Sequence, residues 1–153
     1  EIRLLEMILA LKPKPSINDY FDLTVASYFV NDYTKSRDNS LLMRTSFPDQ
    51  VFGYEWAFNN SRITDTLRKD SIAVPDALLL AGFAEKDTLK YKKQYLGAVK
   101  FLAEYYTNTA RNKDKALEYF RKWLQADPEN AEVIKGYISQ LEKLNIKKPR
   151  PMP

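Results

Sequence analysis

Residues 17–50 and residues 96–130 carry the same arrangement of helix-forming residues in the same register, at opposite ends of the chain. Each stretch holds two amphipathic helix patterns joined by a short turn and closed by a proline, Pro48 in one and Pro128 in the other. A period of about 34 residues built from helix pairs is the mark of a solenoid, because one pair cannot bury its apolar face alone and must stack on a neighbour. The repeat therefore constrains the architecture more tightly than any single residue. It predicts an all-α chain whose function resides in a surface presented by stacked helices.

Composition agrees with that reading. The chain has 153 residues, 44% of them apolar and 13% aromatic, enough to bury a continuous core as one domain. Few β-branched runs and long stretches of Leu, Ala, Lys and Glu favour helix over strand. Cysteine and histidine are both absent, which removes disulfides, thiolate and imidazole metal sites, and any Ser-His or Cys-His nucleophile pair. No metal or cofactor is expected. A cysteine-free chain fits cytosol and periplasm equally, so the compartment stays open. No apolar run approaches the roughly 20 residues needed to span a bilayer, so no membrane insertion is expected.

Helix signals can be followed along the chain. The first eleven residues already read as an amphipathic helix, with Leu4, Leu5, Ile8 and Leu11 on one side. We read it as the second helix of a repeat, and the chain as a C-terminal piece of a longer protein. Pro13 and Pro15 end that helix, and Ser16 with Asp19 forms a capping box for the next. Asp32 is placed to cap a helix from Tyr33 to about Ser46, and Phe47-Pro48-Asp49 turns into a helix from about Gln50 to Leu67. The pattern then lapses into a polar insertion over 68–74. Pro75 at a first helical position and Asp76 in the first turn restart it. A long helix is expected from about Asp87 to Asn108, then one from Lys113 to about Ala126 capped by Asn112. A polar-backed terminal helix over 131–144 has Val133, Ile134, Tyr137, Ile138 and Leu141 on its apolar side. The organisation is thus one helical repeat domain over 1–144: a partial repeat 1–16, a repeat 17–50, a stretched repeat 51–95, a repeat 96–130 and a capping helix 131–144. A Pro-rich basic tail over 145–153 follows.

The two copies resemble the tetratricopeptide repeat family. In the first, Leu23-Thr24 stands where the family has Leu-Gly, and Asn31-Asp32-Tyr33-Thr34-Lys35-Ser36 stands at Gly-Asp-Tyr-x-x-Ala. Ser40, Met43 and Pro48 fall on its later positions. In the second, Leu102-Ala103, Tyr106, Ala116 and Phe120 match, Asp127-Pro128-Glu129-Asn130 closes the repeat, and one extra residue separates the helices. Trp123 replaces a small alanine there, which implies altered helix spacing and a wider groove. The segments 47–56 and 87–95 also resemble repeat proteins common in Bacteroidetes.

The resemblance implies a right-handed α-α superhelix of about eight helices, a TPR-like solenoid that binds an extended or helical segment of another protein in a groove lined by first helices. Carried over by register, the groove positions are Phe21, Asp22, Val25 and Tyr28 in the first repeat, and Phe52, Glu55, Trp56 and Asn59 in the middle one. Lys100, Phe101, Glu104 and Thr107 follow in the third. Such a wall is aromatic with few charges, and aromatic residues serve helix packing as readily as binding. The family's Lys, Asn and Arg clamp for a C-terminal carboxylate is not carried over, because its positions hold Phe21, Val25, Gly97 and Phe101.

These residues point to a non-enzymatic scaffold for a protein or peptide partner whose identity the sequence does not give. The acidic residues argue against catalysis, since Asp19, Asp32, Asp49, Asp76 and Asp114 all stand at or near helix starts. Nucleic-acid binding is not expected either. The net charge is only +4, and Asp22, Glu55 and Glu104 sit where an RNA-binding groove needs cations. The competing reading is a structural repeat module of a larger protein, or a self-associating one that forms a homodimer through the exposed face of the first helix.

Overall fold

The computed structural model describes residues 1–65 and 72–145, and its Cα packing divides into two compact units, Glu1–Phe83 and the residues from Ala84 onward. Among the described residues there are eight α-helices and no strand.

The first unit holds α1 (Ile2–Leu11), α2 (Ile17–Phe29), α3 (Tyr33–Ser46), α4 (Phe52–Thr64) and α5 (Ala73–Ala84), whose last residue crosses the unit boundary. Local chemistry sets where these helices begin. Ser16 and Asp19 form the reciprocal capping box on α2, with the Ser16 amide donating to Asp19 Oδ2 at 2.7 Å. Asp32 Oδ1 accepts from the Lys35 amide at 3.1 Å and starts α3. α5 begins at Ala73, two residues before the start expected at Pro75. A proline in the first turn removes no helix bond, because those amides have no intrahelical acceptor, so the chain can enter the helix ahead of it. The expected helix to Leu67 is corrected: α4 ends at Thr64, and Asp65 (φ −83°, ψ 50°) has already left the helix; most of the polar insertion and the basic tail from residue 146 lie outside the described residues.

Helices α1 to α4 pack in sequence order, each on the next. Their core combines Leu23, Met43, Ala57 and Phe58 with an unusual share of buried small polar residues: Thr24, Ser27, Ser36, Ser40, Asn60 and Ser61. Thr24 and Ser36 occupy the two positions where close helix approach calls for a small side chain. The Ser36 hydroxyl donates to the Thr24 carbonyl at 2.9 Å and accepts from Asn60 Nδ2 at 2.9 Å. Hydrogen bonds thus link α2, α3 and α4 where alkyl contact would otherwise do so. At Gly53 the backbones of α3 and α4 come so close that an added Cβ would lie 2.4 Å from the Arg44 nitrogen. Across the same helices, Asp76 of α5 is 3% exposed. It receives Arg37 Nη2 and Arg44 Nη1, each at 3.1 Å, and the Ser61 hydroxyl.

The second unit holds α6 (Lys92–Asn108), α7 (Lys113–Ala126) and α8 (Ala131–Lys143), with single 3-10 turns at Glu85–Asp87 and Pro128–Asn130. Here the expected helix from Asp87 is corrected: α6 starts five residues later. Residues 88–91 form a turn ahead of it, in which Asp87 Oδ1 accepts the Lys90 amide at 3.0 Å and the Asp87 carbonyl accepts the Tyr91 amide at 3.0 Å. Asn112 caps α7 through the Lys115 amide at 3.1 Å. Ala103 and Ala116, fully buried, let α6 and α7 approach at the positions corresponding to Thr24 and Ser36. Of the apolar residues expected on α8, Ile134 and Leu141 are buried and Ile138 is half-buried, while Val133 and Tyr137 remain exposed.

The turn between paired helices has the same construction in both units. Asn31 (φ 64°) precedes the cap Asp32, and Arg111 (φ 48°) precedes the cap Asn112. The Asp32 amide reaches back to the Ser27 carbonyl at 2.9 Å, and the Asn112 amide to the Tyr106 carbonyl at 2.8 Å, one residue further back. That difference is the extra residue read from the sequence.

Candidate functional site

Within the first unit, α2 and α4 bring four of the nominated rings into one run. Phe52 and Trp56 are one turn apart on α4, and Phe21 and Tyr28 two turns apart on α2, so each pair shares a face. Phe52 meets Phe21 at 5.4 Å, Phe21 meets Trp56 at 6.2 Å and Trp56 meets Tyr28 at 5.1 Å, all edge to face at 73–80°. Tyr33 extends the run from Tyr28 at 5.4 Å. Edge-to-face geometry sets the positive rim of one ring against the negative face of the next, which fixes the run as a unit. The rings are neither buried nor free. Phe52 is 39% exposed, and Phe21, Tyr28 and Trp56 are half-buried. Glu55 and Asn59, on the same helix, are half-buried as well.

Phe21, Asp22 and Val25 also line a cavity of 690 Å³ between α1 and α2, whose apolar walls include Ile2, Leu5 and Phe29. α1 contributes no fully buried residue. It is held by two ion pairs, Lys35–Glu6 at 2.7 Å from its middle and Lys12–Asp19 at 2.5 Å just past its C-terminal end. The Lys12 ammonium, followed by the Ser16 hydroxyl and amide, brings the Asp19 carboxyl down to about 2.

Within the second unit, Lys100, Glu104 and Thr107 of α6 line a cavity of 460 Å³, with Asn108, Phe120 and Trp123 beside them and Tyr137 of α8 completing it. Phe101 stands apart from these. It is 8% exposed and stacks on Tyr105 at 6.5 Å, so it packs inside the unit and does not line the cavity. Trp123 Nε1–H donates to Asp127 Oδ2 at 3.1 Å, and the Asn130 amide nitrogen reaches both Asp127 oxygens at 3.0 Å. Those hydrogen bonds, from Trp123 first and Asn130 second, hold the Asp127 carboxyl below its usual range, with the Lys100 ammonium 3.6 Å away adding to them. Lys100 Nζ also lies 4.9 Å from the centre of the Trp123 ring. Phe120, Trp123 and Tyr137 were not nominated from the register, which considers first helices only. The signal was nevertheless present in the sequence, as an indole where an alanine was expected.

Both surfaces offer ring faces and edges with few charges, suited to apolar contact more than to proton transfer. Among the described residues no group of His, Cys, Asp or Glu side chains could hold a metal ion, and no helix is long and apolar enough to cross a membrane.

No family model matches the chain, and no curated protein matches it. Among solved structures it is similar to the crystal structure of the C-terminal part of a TPR repeat-containing protein from Cytophaga hutchinsonii, a Bacteroidetes relative. The identity is 26% and the TM-score 0.77 over 88% of this chain and 52% of that one. This chain thus spans about half the length of the one it matches. With eight helices among its described residues in the expected order and that likeness over most of its length, the chain has an all-α, tetratricopeptide-like helical repeat fold.

Proposed function

We propose that this chain is a non-enzymatic scaffold that binds a peptide or helix of a partner protein in an aromatic-lined groove on the first helices of its repeats. The observation that carries the reading is the edge-to-face run Phe52–Phe21–Trp56–Tyr28, half-exposed on the first helices of two successive repeats. Aromatic side chains that are already ordered and only partly covered can bury further area at little entropic cost, the property that makes Trp and Tyr frequent anchors at interfaces. Asp22, Val25, Glu55 and Asn59 flank the run, and Lys100 and Glu104 extend the same register into the second unit. Asp22, Glu55 and Glu104 stand against a nucleic-acid partner.

A pull-down from lysate of the source organism, with Trp56→Ala as the comparison, tests this reading. Partners retained by the natural chain and lost by the variant are expected; an unchanged partner set sinks the proposed face.

One observation favours the second reading, a self-associating module. Leu4, Met7 and Leu11 of α1 are 60%, 60% and 79% exposed at helical spacing. A homodimer through that face predicts a mass by light scattering that rises with concentration and returns to 17.8 kDa in Leu4→Glu/Leu11→Glu. A monomer at all concentrations removes this reading and leaves the scaffold.

A further inference from the structure

The geometry points to the cavity beside Trp123 as a socket for one apolar side chain, aromatic or long aliphatic, of a partner segment held in extended conformation along α6; this rests on the reading of the chain as a protein-interaction scaffold.

The socket is built in advance of any ligand. Trp123 stacks on Phe120 at 5.8 Å and 22°, Tyr137 closes on Phe120 at 5.9 Å, and Tyr137 lies 6.2 Å from Trp123. The indole cannot rotate freely, because its N–H is committed to Asp127, a residue 2% exposed and itself tied to Asn130. Rings fixed in this way lose little freedom when a ligand arrives. The volume of 460 Å³ falls within the range of about 300 to 1,000 Å³ typical of ligand pockets.

Charge selects the occupant. The Lys100 ammonium already lies over the Trp123 ring, the place a ligand cation would seek. A lysine or arginine side chain entering the socket would displace or repel it. An apolar side chain meets ring faces without that conflict and leaves the Lys100–Asp127 pair in place.

The rim selects the conformation. Lys100, Glu104 and Asn108 follow one another at every fourth residue along one face of α6, about 6 Å apart. Two residues of an extended chain advance about 6.6–6.8 Å. Alternate backbone amides and carbonyls of an extended segment therefore come level with successive rim side chains, a cation donor, a carboxylate acceptor and an amide that does both. A helical segment, whose backbone groups are bonded internally, has no use for such a ladder.

The chain contains only two tryptophans, Trp56 in the first unit and Trp123 in the second, so their two indole N–H resonances report each surface separately. A library of random twelve-residue peptides would be selected on the full chain, and enriched peptides titrated into the 15N-labelled protein. The expected result is a shared Phe, Tyr, Leu or Met in the enriched peptides and a saturable shift of the Trp123 indole, with peptide amides showing extended-chain couplings. Affinity should fall about tenfold or more in Tyr137→Ala. It should also fall in Asn108→Phe, which plugs the socket from an exposed position and keeps the helical circular dichroism. Peptides that shift only Trp56 and bind Tyr137→Ala and Asn108→Phe as tightly as the natural chain overturn the socket while leaving the scaffold reading standing on the α2–α4 rings. A shared Arg or Lys, or bound peptides that are helical, also overturns the socket. Failure to enrich any peptide overturns both.

Discussion

Arg44 Nη1 lies 3.1 Å from Asp76 Oδ1, joining α3 to α5 inside the first unit through a carboxylate that is almost wholly buried. Arg37 and Ser61 take the other oxygen, so one side chain of α5 is tied to both α3 and α4. A buried carboxylate is tolerated only because each of its oxygens has a charged donor. Asp76→Ala removes the anion and leaves two guanidinium groups facing each other in a region partly withdrawn from water. Breaking such a pair from one side typically costs about 3–5 kcal/mol. The urea midpoint of Asp76→Ala should fall accordingly, and Asp76→Asn, which keeps the shape but not the charge, should fall by nearly as much. A loss within the scatter of surface substitutions would show that the network is held open to solvent.

Gly53 gives a second, purely steric, prediction. Its missing Cβ is what lets α4 cross α3 at Arg44, where a methyl group would meet the Arg44 nitrogen at 2.4 Å and its Cα at 2.6 Å. Backbone atoms cannot swing aside as a flexible side chain can, so the helices must separate. Gly53→Ala should destabilise the chain by about 1–3 kcal/mol despite the higher helix propensity of alanine. Because Arg44 also serves Asp76, the double variant Gly53→Ala/Asp76→Ala should lose less than the sum of the two single losses. Denaturant unfolding of the four-member cycle measures this.

Arg111 has φ 48°, a left-handed conformation that glycine adopts freely and a side chain with a Cβ does not. Nothing in its role as the residue ahead of the Asn112 cap requires an arginine. Arg111→Gly should therefore raise stability by up to about 1 kcal/mol, the strain relieved being partly offset by the added freedom of the unfolded chain. Asn31, at the matching turn with φ 64°, tolerates this region better than most residues, so Asn31→Gly should gain less and Asn31→Ala should lose stability. Thermal unfolding of the three variants checks the order.

What was legible in the sequence was what is decided locally. Ser16, Asp32 and Asn112 act within three residues of themselves, and all three caps are where their spacing put them. The start of α6 is not legible in the sequence, because Lys90-Tyr91-Lys92-Lys93 holds no helix breaker and the residue ahead of the helix, Tyr91, makes no side-chain capping bond. Asp76 looked like a first-turn residue and is one, but its partners are 32 and 39 residues earlier in the chain, and no periodicity reports them. Phe21, Tyr28, Phe52 and Trp56, which share groove positions by register, meet in one run of rings. Register placed Phe101 on the same footing, although a rotation of one position along α6 decides between cavity wall and core, and Phe101 belongs to the core.

Acid should loosen the attachment of α1 only below about pH 4. Asp19 has its carboxyl lowered to about 2, chiefly by Lys12 and then by Ser16. A group whose folded pKa is depressed contributes stability above its unfolded value, about 3.9, and loses it as pH falls through the folded value. The contribution of Asp19 is thus intact at neutral pH and disappears between about pH 4 and about pH 2. Protonation there breaks the capping box on α2 and the Lys12 ion pair together, and these are contacts at the α1–α2 junction. Carboxyl carbon shifts of Asp19 should titrate well below the ordinary aspartate range. In Lys12→Ala the Asp19 titration should move up toward the ordinary value while the Ser16 hydrogen bonds keep it partly depressed. An Asp19 midpoint near 4 in the natural chain, or one indifferent to Lys12→Ala, would remove the ion pair as the fastening of this helix.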